Sequence, residues 1–235
     1  MLKQGEMDMR YVMADIHGEY EMFLKMLEKI SFSDSDELYI AGDIIDKGPD
    51  SVRLAKYISK KSNIHTILGN HEHLFLQYYH SLMEGPSASP DAVMAKLREY
   101  FPDGALLDWE TVDFIDSLPL YIEEDDFICV HAGLPLDASG VPLPLSGASA
   151  NQLVNDRRFK EPTVKHGGEK CVFFGHTQTN CISGECKILG YPKDKTKRPS
   201  SVRDFYKIHL DTGAWSNGVL ACFAIDSLKA YYVRK

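Results

Sequence analysis

The chain has no apolar run approaching the ~20 residues that a membrane-crossing helix needs, so no membrane partner is expected. It has no surplus of positive charge either. Lys and Arg number 26 against 34 Asp and Glu, a formal net charge of -8. Nucleic acid and anionic membranes both require a cationic surface, so a nucleic-acid partner is not expected. Paired cysteines are also missing. There are five, an odd number, and Cys129, Cys171 and Cys222 sit inside apolar runs. They read as small buried hydrophobes in a reducing, cytoplasmic setting. Cys181 and Cys186 have the spacing of half a zinc site, but no second pair follows. The first eight residues lack the apolar stretch of a signal peptide.

What is present fits an ordinary globular protein. At 235 residues the chain can bury a sizeable core, and no linker or repeat divides it, so residues 1–235 read as one domain. Met9 to Ala14, Leu38 to Ala41 and His65 to Leu68 read as strands. Helical spacing over Glu19 to Ile30 and Ser51 to Lys60 lies between them. Strand–helix–strand–helix–strand is the signature of a parallel α/β sheet. Three helices, over Glu72 to Met83, Asp91 to Tyr100 and Trp109 to Ser117, read as a cap at about 72–118, with a loop from Gly85 to Pro90. The second half reads as strand-rich: a hairpin across Asp125-Asp126, a loop from Asp137 to Ser149, then strands at 170–174, 181–189, 205–210, 219–225 and 230–233.

Five of the apolar runs end alike. They run into Asp15-Ile16-His17-Gly18, Gly42-Asp43, Gly69-Asn70-His71, His131-Ala132-Gly133 and Gly175-His176. Ligands of open α/β sheets bind where the carboxyl ends of strands converge. Glycine, usually present beside the Asp, His or Asn, lets backbone approach a bound ion or phosphate closely. Any single member is weak, since a lone His at a strand end is more often structural than a ligand. Five together point to a metal site.

Asp15-Ile16-His17-Gly18, Gly42-Asp43-Ile44-Ile45-Asp46-Lys47-Gly48, Gly69-Asn70-His71-Glu72, His131-Ala132-Gly133 and Gly175-His176-Thr177 resemble the ordered motifs of the phosphoprotein phosphatases. These belong to the calcineurin-like metallophosphoesterases, and the resemblance is strongest to bacterial and phage members. It implies an α/β sandwich of two mixed sheets flanked by helices. It implies two divalent transition metal ions, manganese preferred and iron or zinc admitted by the O/N donor set. One ion would take Asp15, His17 and Asp43; the other Asp43, Asn70, His131 and His176. His71 would protonate the leaving oxygen with Asp46 holding its ring, and Lys47 and Arg157, with Arg158 the alternative, would bind phosphate. The family usually has arginine where Lys47 stands.

The activity this implies is phosphomonoester hydrolysis by a hydroxide held on two metals, without a phosphoenzyme. A serine/threonine-type phosphoprotein phosphatase is the first expectation, and a symmetrical bis(5'-nucleosyl)-tetraphosphatase the alternative. The substrate is accordingly a phosphorylated protein or a small phosphorylated molecule. The rival from another class is a scaffold that binds phosphate without turnover. It has no use for the pair of His71 and Asp46.

Overall fold

Alternating side chains along the apolar runs set the layers. The structure, a computed structural model, describes residues 8–85 and 89–235. The first seven residues and part of the loop expected at Gly85 to Pro90 therefore lie outside the described residues. In β1 (Arg10–Met13) Tyr11 and Met13 face one side and Val12 the other, the period of two that a strand imposes. α1 (Tyr20–Lys29), β2 (Glu37–Ile40), α2 (Ser51–Ser59) and β3 (Ile64–Thr66) follow in the expected order. α3 (Asn70–Met83), α4 (Pro90–Arg98) and α5 (Trp109–Asp116) come next. The Asp108 side chain accepts the Thr111 N–H at the start of α5, a standard reason for a helix to begin there. The remaining elements are β4 (Tyr121–Glu123), β5 (Phe127–Val130), α6 (Ala150–Asn155), β6 (Cys171–Phe174), α7 (Asn180–Ser183), β7 (Leu189–Pro192), β8 (Phe205–His209), α8 (Ala214–Asn217), β9 (Val219–Ala224) and β10 (Lys229–Arg234).

The strands form two five-stranded mixed sheets, ordered β10-β9-β1-β2-β3 and β4-β5-β6-β8-β7. β1, β2 and β3 are parallel, as are β5, β6 and β8. Val12, Tyr39, Ile67, Phe127, Cys129, Phe173, Ile208 and Phe223 form one buried cluster between the sheets. Phe127 and Phe173 meet edge-on there at 5.4 Å. Each such side chain withdrawn from water contributes about 1.5–3 kcal/mol. The opposite face of the first sheet is covered by α1, α2 and the helices after them, and that of the second by Leu134, Leu153 and Phe159. The expected two-sheet sandwich is the observed fold.

Three local expectations change. The run from Cys181 to Leu189 is not a strand: it opens as α7, Gly184 takes a left-handed φ of 75°, and β7 begins only at Leu189. Ser183 and Gly184 break the apolar run before a ladder can form. The third strand stops at Thr66, because the Leu68 N–H bonds the Pro119 carbonyl instead of continuing the sheet. Helix α3 starts at Asn70, so Asn70 and His71 lie on its first turn rather than before it. No helix among the described residues is long and apolar enough to cross a membrane.

Candidate active site

The ends of β1 and β2 stay paired after the strands finish. The Asp15 N–H donates to the Gly42 carbonyl at 3.1 Å, His17 N–H to Asp43 at 2.9 Å and Gly18 N–H to Ile44 at 2.8 Å. The second sheet joins through the His176 N–H, which lies 3.0 Å from both Asp15 carboxylate oxygens. Two glycines permit this closeness. A Cβ at Gly69 would sit 2.2 Å from Asp43 Oδ1, and one at Gly175 only 1.9 Å from Asp15 Oδ2. Asp15, His17, Asp43, Asp46, Lys47 and His176 all adopt left-handed φ values between 50° and 70°. Only Ser31 and Leu228 share that conformation among the other described non-glycine residues. Such residues cost of order 1–3 kcal/mol each and persist only where surrounding contacts impose them.

These turns gather the donor atoms. Asp43 Oδ2 lies 3.6 Å from His17 Nε2, 3.5 Å from His131 Nε2 and 4.0 Å from His71 Nε2. Asn70 Oδ1 lies 3.0 Å from His131 Nε2 and 2.8 Å from His176 Nδ1. Potential ligand atoms of His17, Asp43 and His71 fall within 4.8 Å of one another, as do those of Asp15, Asp43 and His131, so Asp43 belongs to both groups. No group of metal-ligating character among the described residues includes a cysteine.

The donor chemistry fits divalent cations. His131 Nδ1 donates to the Ala41 carbonyl at 2.7 Å and His17 Nδ1 to Ile45 at 3.2 Å. Those bonds fix the tautomers and leave each Nε2 lone pair facing inward. The His131 lone pair then confronts Asn70 Oδ1, two acceptors that repel unless a cation lies between them. His176 Nε2 is buried with no partner. Burial lowers the His17 ring to about 4 and, with the neighbouring His131 and Arg157, the His176 ring to about 3. Burial likewise lowers His131. Burial raises Asp43, but His131, His17 and His71 outweigh it and hold the carboxyl at about 2. The lowered rings of His17, His131 and His176 are therefore neutral at neutral pH, the state in which an imidazole ligates a metal.

His71 and Asp46 lie on the rim of this cluster, with His71 Nδ1 2.6 Å from Asp46 Oδ2. Lys47 Nζ lies 3.2 Å from His17 Nε2. Arg157 Nη1 donates to the His176 carbonyl at 3.2 Å and to Thr177 Oγ1 at 2.9 Å. Arg158 turns away onto Asp156 and the Leu136 and Asp137 carbonyls. Lys47 and Arg157 share a recess of about 320 Å³ with His17, His176, Asp211 and Trp215. A larger recess of about 590 Å³, between Tyr121, Leu134 and Leu143, contains none of the site residues.

The sequence profile of the calcineurin-like phosphoesterases matches residues 11–208, most of the chain. The chain belongs to the calcineurin-like phosphoesterase family. The symmetrical bis(5'-nucleosyl)-tetraphosphatase of Buchnera aphidicola subsp. Acyrthosiphon pisum (strain 5A) is 50% identical over 64 residues, 26% of this chain and 23% of that protein. The protein of the same name from Neisseria meningitidis serogroup A is 33% identical over 128 residues, 53% of this chain and 43% of its own length. The matches thus span less than half the length of these curated relatives. A crystal structure described as a candidate diadenosine tetraphosphatase superposes with a TM-score of 0.69 at 18% identity. It covers 97% of this chain and 93% of its own, a likeness of fold.

In this phosphoesterase Glu72, which closes the motif Gly69-Asn70-His71-Glu72 without an assigned role, holds the site together. Its buried carboxylate accepts the N–H groups of Asp43 (2.8 Å), Ile44 (2.9 Å), Ile45 (3.0 Å) and Gly69 (2.8 Å). Burial and the Asp43 charge push it up to about 7, against the pull of those amides. Asp211 is similarly raised to about 7 by burial, with the Gly213 amide opposing. The remaining histidines lie apart from the site. His65 pairs with Glu37, His80 with Asp116, His73 with Gln77, and His166 with the Tyr206 carbonyl. His209 is buried with its ring stacked on Phe174 at 4.3 Å.

Proposed function

We propose that this phosphoesterase hydrolyses dinucleoside tetraphosphates. The observation that carries the proposal is the recess beside the donor cluster, lined by both candidate phosphate cations, Lys47 and Arg157. A phosphoprotein calls for an open, shallow site. A polyphosphate chain calls for a pocket with several cations along it. The relatives named as symmetrical tetraphosphatases support the same choice, which reverses the order of preference that the motifs alone suggest.

Asp15, His17 and Asp43 would hold one metal ion and Asp43, Asn70, His131 and His176 the other, with Asp43 shared. Two such ions supply a water of lowered pKa and neutralise the phosphoryl oxygens. Lys47 and Arg157 would then fix the phosphate chain, Lys47 as a point charge and Arg157 through its remaining N–H groups. His71, held by Asp46 with its Nδ1–H donating, would give its Nε2 proton to the departing oxygen. The helices over residues 72–118 would act as a cap within a single domain. A scaffold that merely bound phosphate would need no proton donor oriented by a carboxylate.

The test is a rate comparison on diadenosine tetraphosphate and on a phosphoserine peptide with added manganese. The proposal expects the dinucleotide to be cleaved into two nucleoside diphosphates and to be the better substrate. Faster turnover of the peptide would return the phosphoprotein phosphatase to first place.

A further inference from the structure

One large aromatic side chain stands beside the phosphate cations and is left uncovered by the fold. Trp215, on α8, is 48% exposed and lines the recess that contains Lys47, Arg157 and His17. Its neighbour Ala214 is buried. Burying an indole is worth more than burying almost any other side chain, so leaving half of one in water sacrifices stability.

The exposure does not come from a loosely attached segment. Helix α8 lies between two glycines in left-handed conformation, Gly213 at φ 79° and Gly218 at φ 64°. Gln178, on the loop after β6, clamps it from outside. Gln178 Nε2 donates to Ser216 Oγ at 2.6 Å, and Asn217 Nδ2 donates to Gln178 Oε1 at 3.1 Å. Asn217 also reaches the Thr212 carbonyl at 3.3 Å. The two residues after Trp215 are thus tied to the loop that carries His176, so the helix that bears the indole is held relative to the donor cluster.

We infer that Trp215 is the platform on which a nucleobase of the substrate stacks. The inference rests on the proposed nucleotide substrate. A nucleotide pairs a flat, weakly polar ring with a chain of negative charge. The recess pairs an exposed indole with an ammonium and a guanidinium. Stacking on an aromatic face is tolerant of base identity, because every base presents a π-face. Trp215 would therefore separate nucleotides from baseless phosphates, rather than one base from another.

Calorimetric binding to the manganese-loaded protein tests this without turnover. ADP and inorganic pyrophosphate are the two probes, compared across wild type, Trp215→Ala and Trp215→Phe. Trp215→Ala should weaken ADP binding roughly tenfold to a hundredfold, the range seen for loss of one stacked base. Trp215→Phe should retain most of it, and pyrophosphate should bind all three proteins alike. Unchanged ADP affinity in Trp215→Ala would overturn the inference, as would an equal loss for both probes, which marks a structural role. Its failure is distinguishable from failure of the substrate proposal. Base-dependent binding without hydrolysis of diadenosine tetraphosphate sinks the latter alone, and hydrolysis with base-independent binding sinks only the former.

Discussion

Asp46 Oδ2 lies 2.6 Å from His71 Nδ1, so the imidazole that faces the candidate leaving group is held from behind by a carboxylate. Burial pulls the His71 ring down, but Asp46, then Asp43, outweigh it and raise the ring above its ordinary 6.5. The His71 hydrogen bond lowers Asp46 correspondingly. A raised pKa keeps His71 protonated to higher pH, and a proton donor works only while protonated. Asp46→Asn removes the largest raising influence, so burial prevails and the ring loses its proton earlier. The alkaline limb of the kcat profile should move to lower pH in Asp46→Asn. An unmoved limb would show that another group sets it.

His71→Asn should lower kcat by about a hundredfold or more, the usual worth of a positioned acid, while metal content stays at the wild-type level. Because His71 also falls within coordinating reach of Asp43 and His17, metal analysis of this variant is decisive. A loss of metal would make His71 a ligand rather than a proton donor.

Glu72→Gln keeps the size of the side chain but turns an amide NH₂ toward backbone N–H groups that need acceptors. Leaving such donors unsatisfied costs about 2–3 kcal/mol. For a chain of this size that lowers the melting temperature by roughly 5–10 °C. Thermal unfolding checks it. A melting temperature within a degree of wild type would mean that Glu72 contributes little to holding the turn.

Gly175→Ala places a methyl 1.9 Å from Asp15 Oδ2, and the carboxylate must move. Disturbing the surroundings of a ligand typically costs 10–100-fold in metal affinity. Manganese titration should show about that loss. Wild-type affinity would remove Asp15 from the ligand set.

Lys47→Arg replaces a point charge with a planar fork that grips phosphate bidentately. The KM for a polyphosphate substrate should fall or hold, whereas Lys47→Ala should raise it. A rise with arginine would show that the left-handed turn at Lys47 admits only the shorter group.

The outline of the site was legible because its candidate ligands stand at the ends of short apolar runs, most of them beside a glycine. Parallel pairing of β1 with β2 and of β5 with β6 then brings those ends together. What was not legible acts across long distances. Glu72 bonds the backbone of Asp43 to Ile45, 27 to 29 residues away, and nothing in Gly69-Asn70-His71-Glu72 announces that. The left-handed conformations at Asp15, Asp43 and His176 were not legible either, since non-glycine residues rarely adopt them. Trp215 gains its place only when Gln178 brings α8 to the rim. Helix α6 did have a local signal. Ser149 and Gln152 form a reciprocal cap with bonds of 3.3 and 3.0 Å, a spacing readable from Ser-Ala-Asn-Gln.

Asp43 is proposed to serve two cations at once, and counting metal ions by mass spectrometry after manganese loading and desalting tests that directly. The expected result is two manganese ions per wild-type chain and a marked loss in Asp43→Asn, with the fold intact by circular dichroism. Two ions retained in Asp43→Asn, or full hydrolysis by wild-type protein stripped of metal, would contradict it.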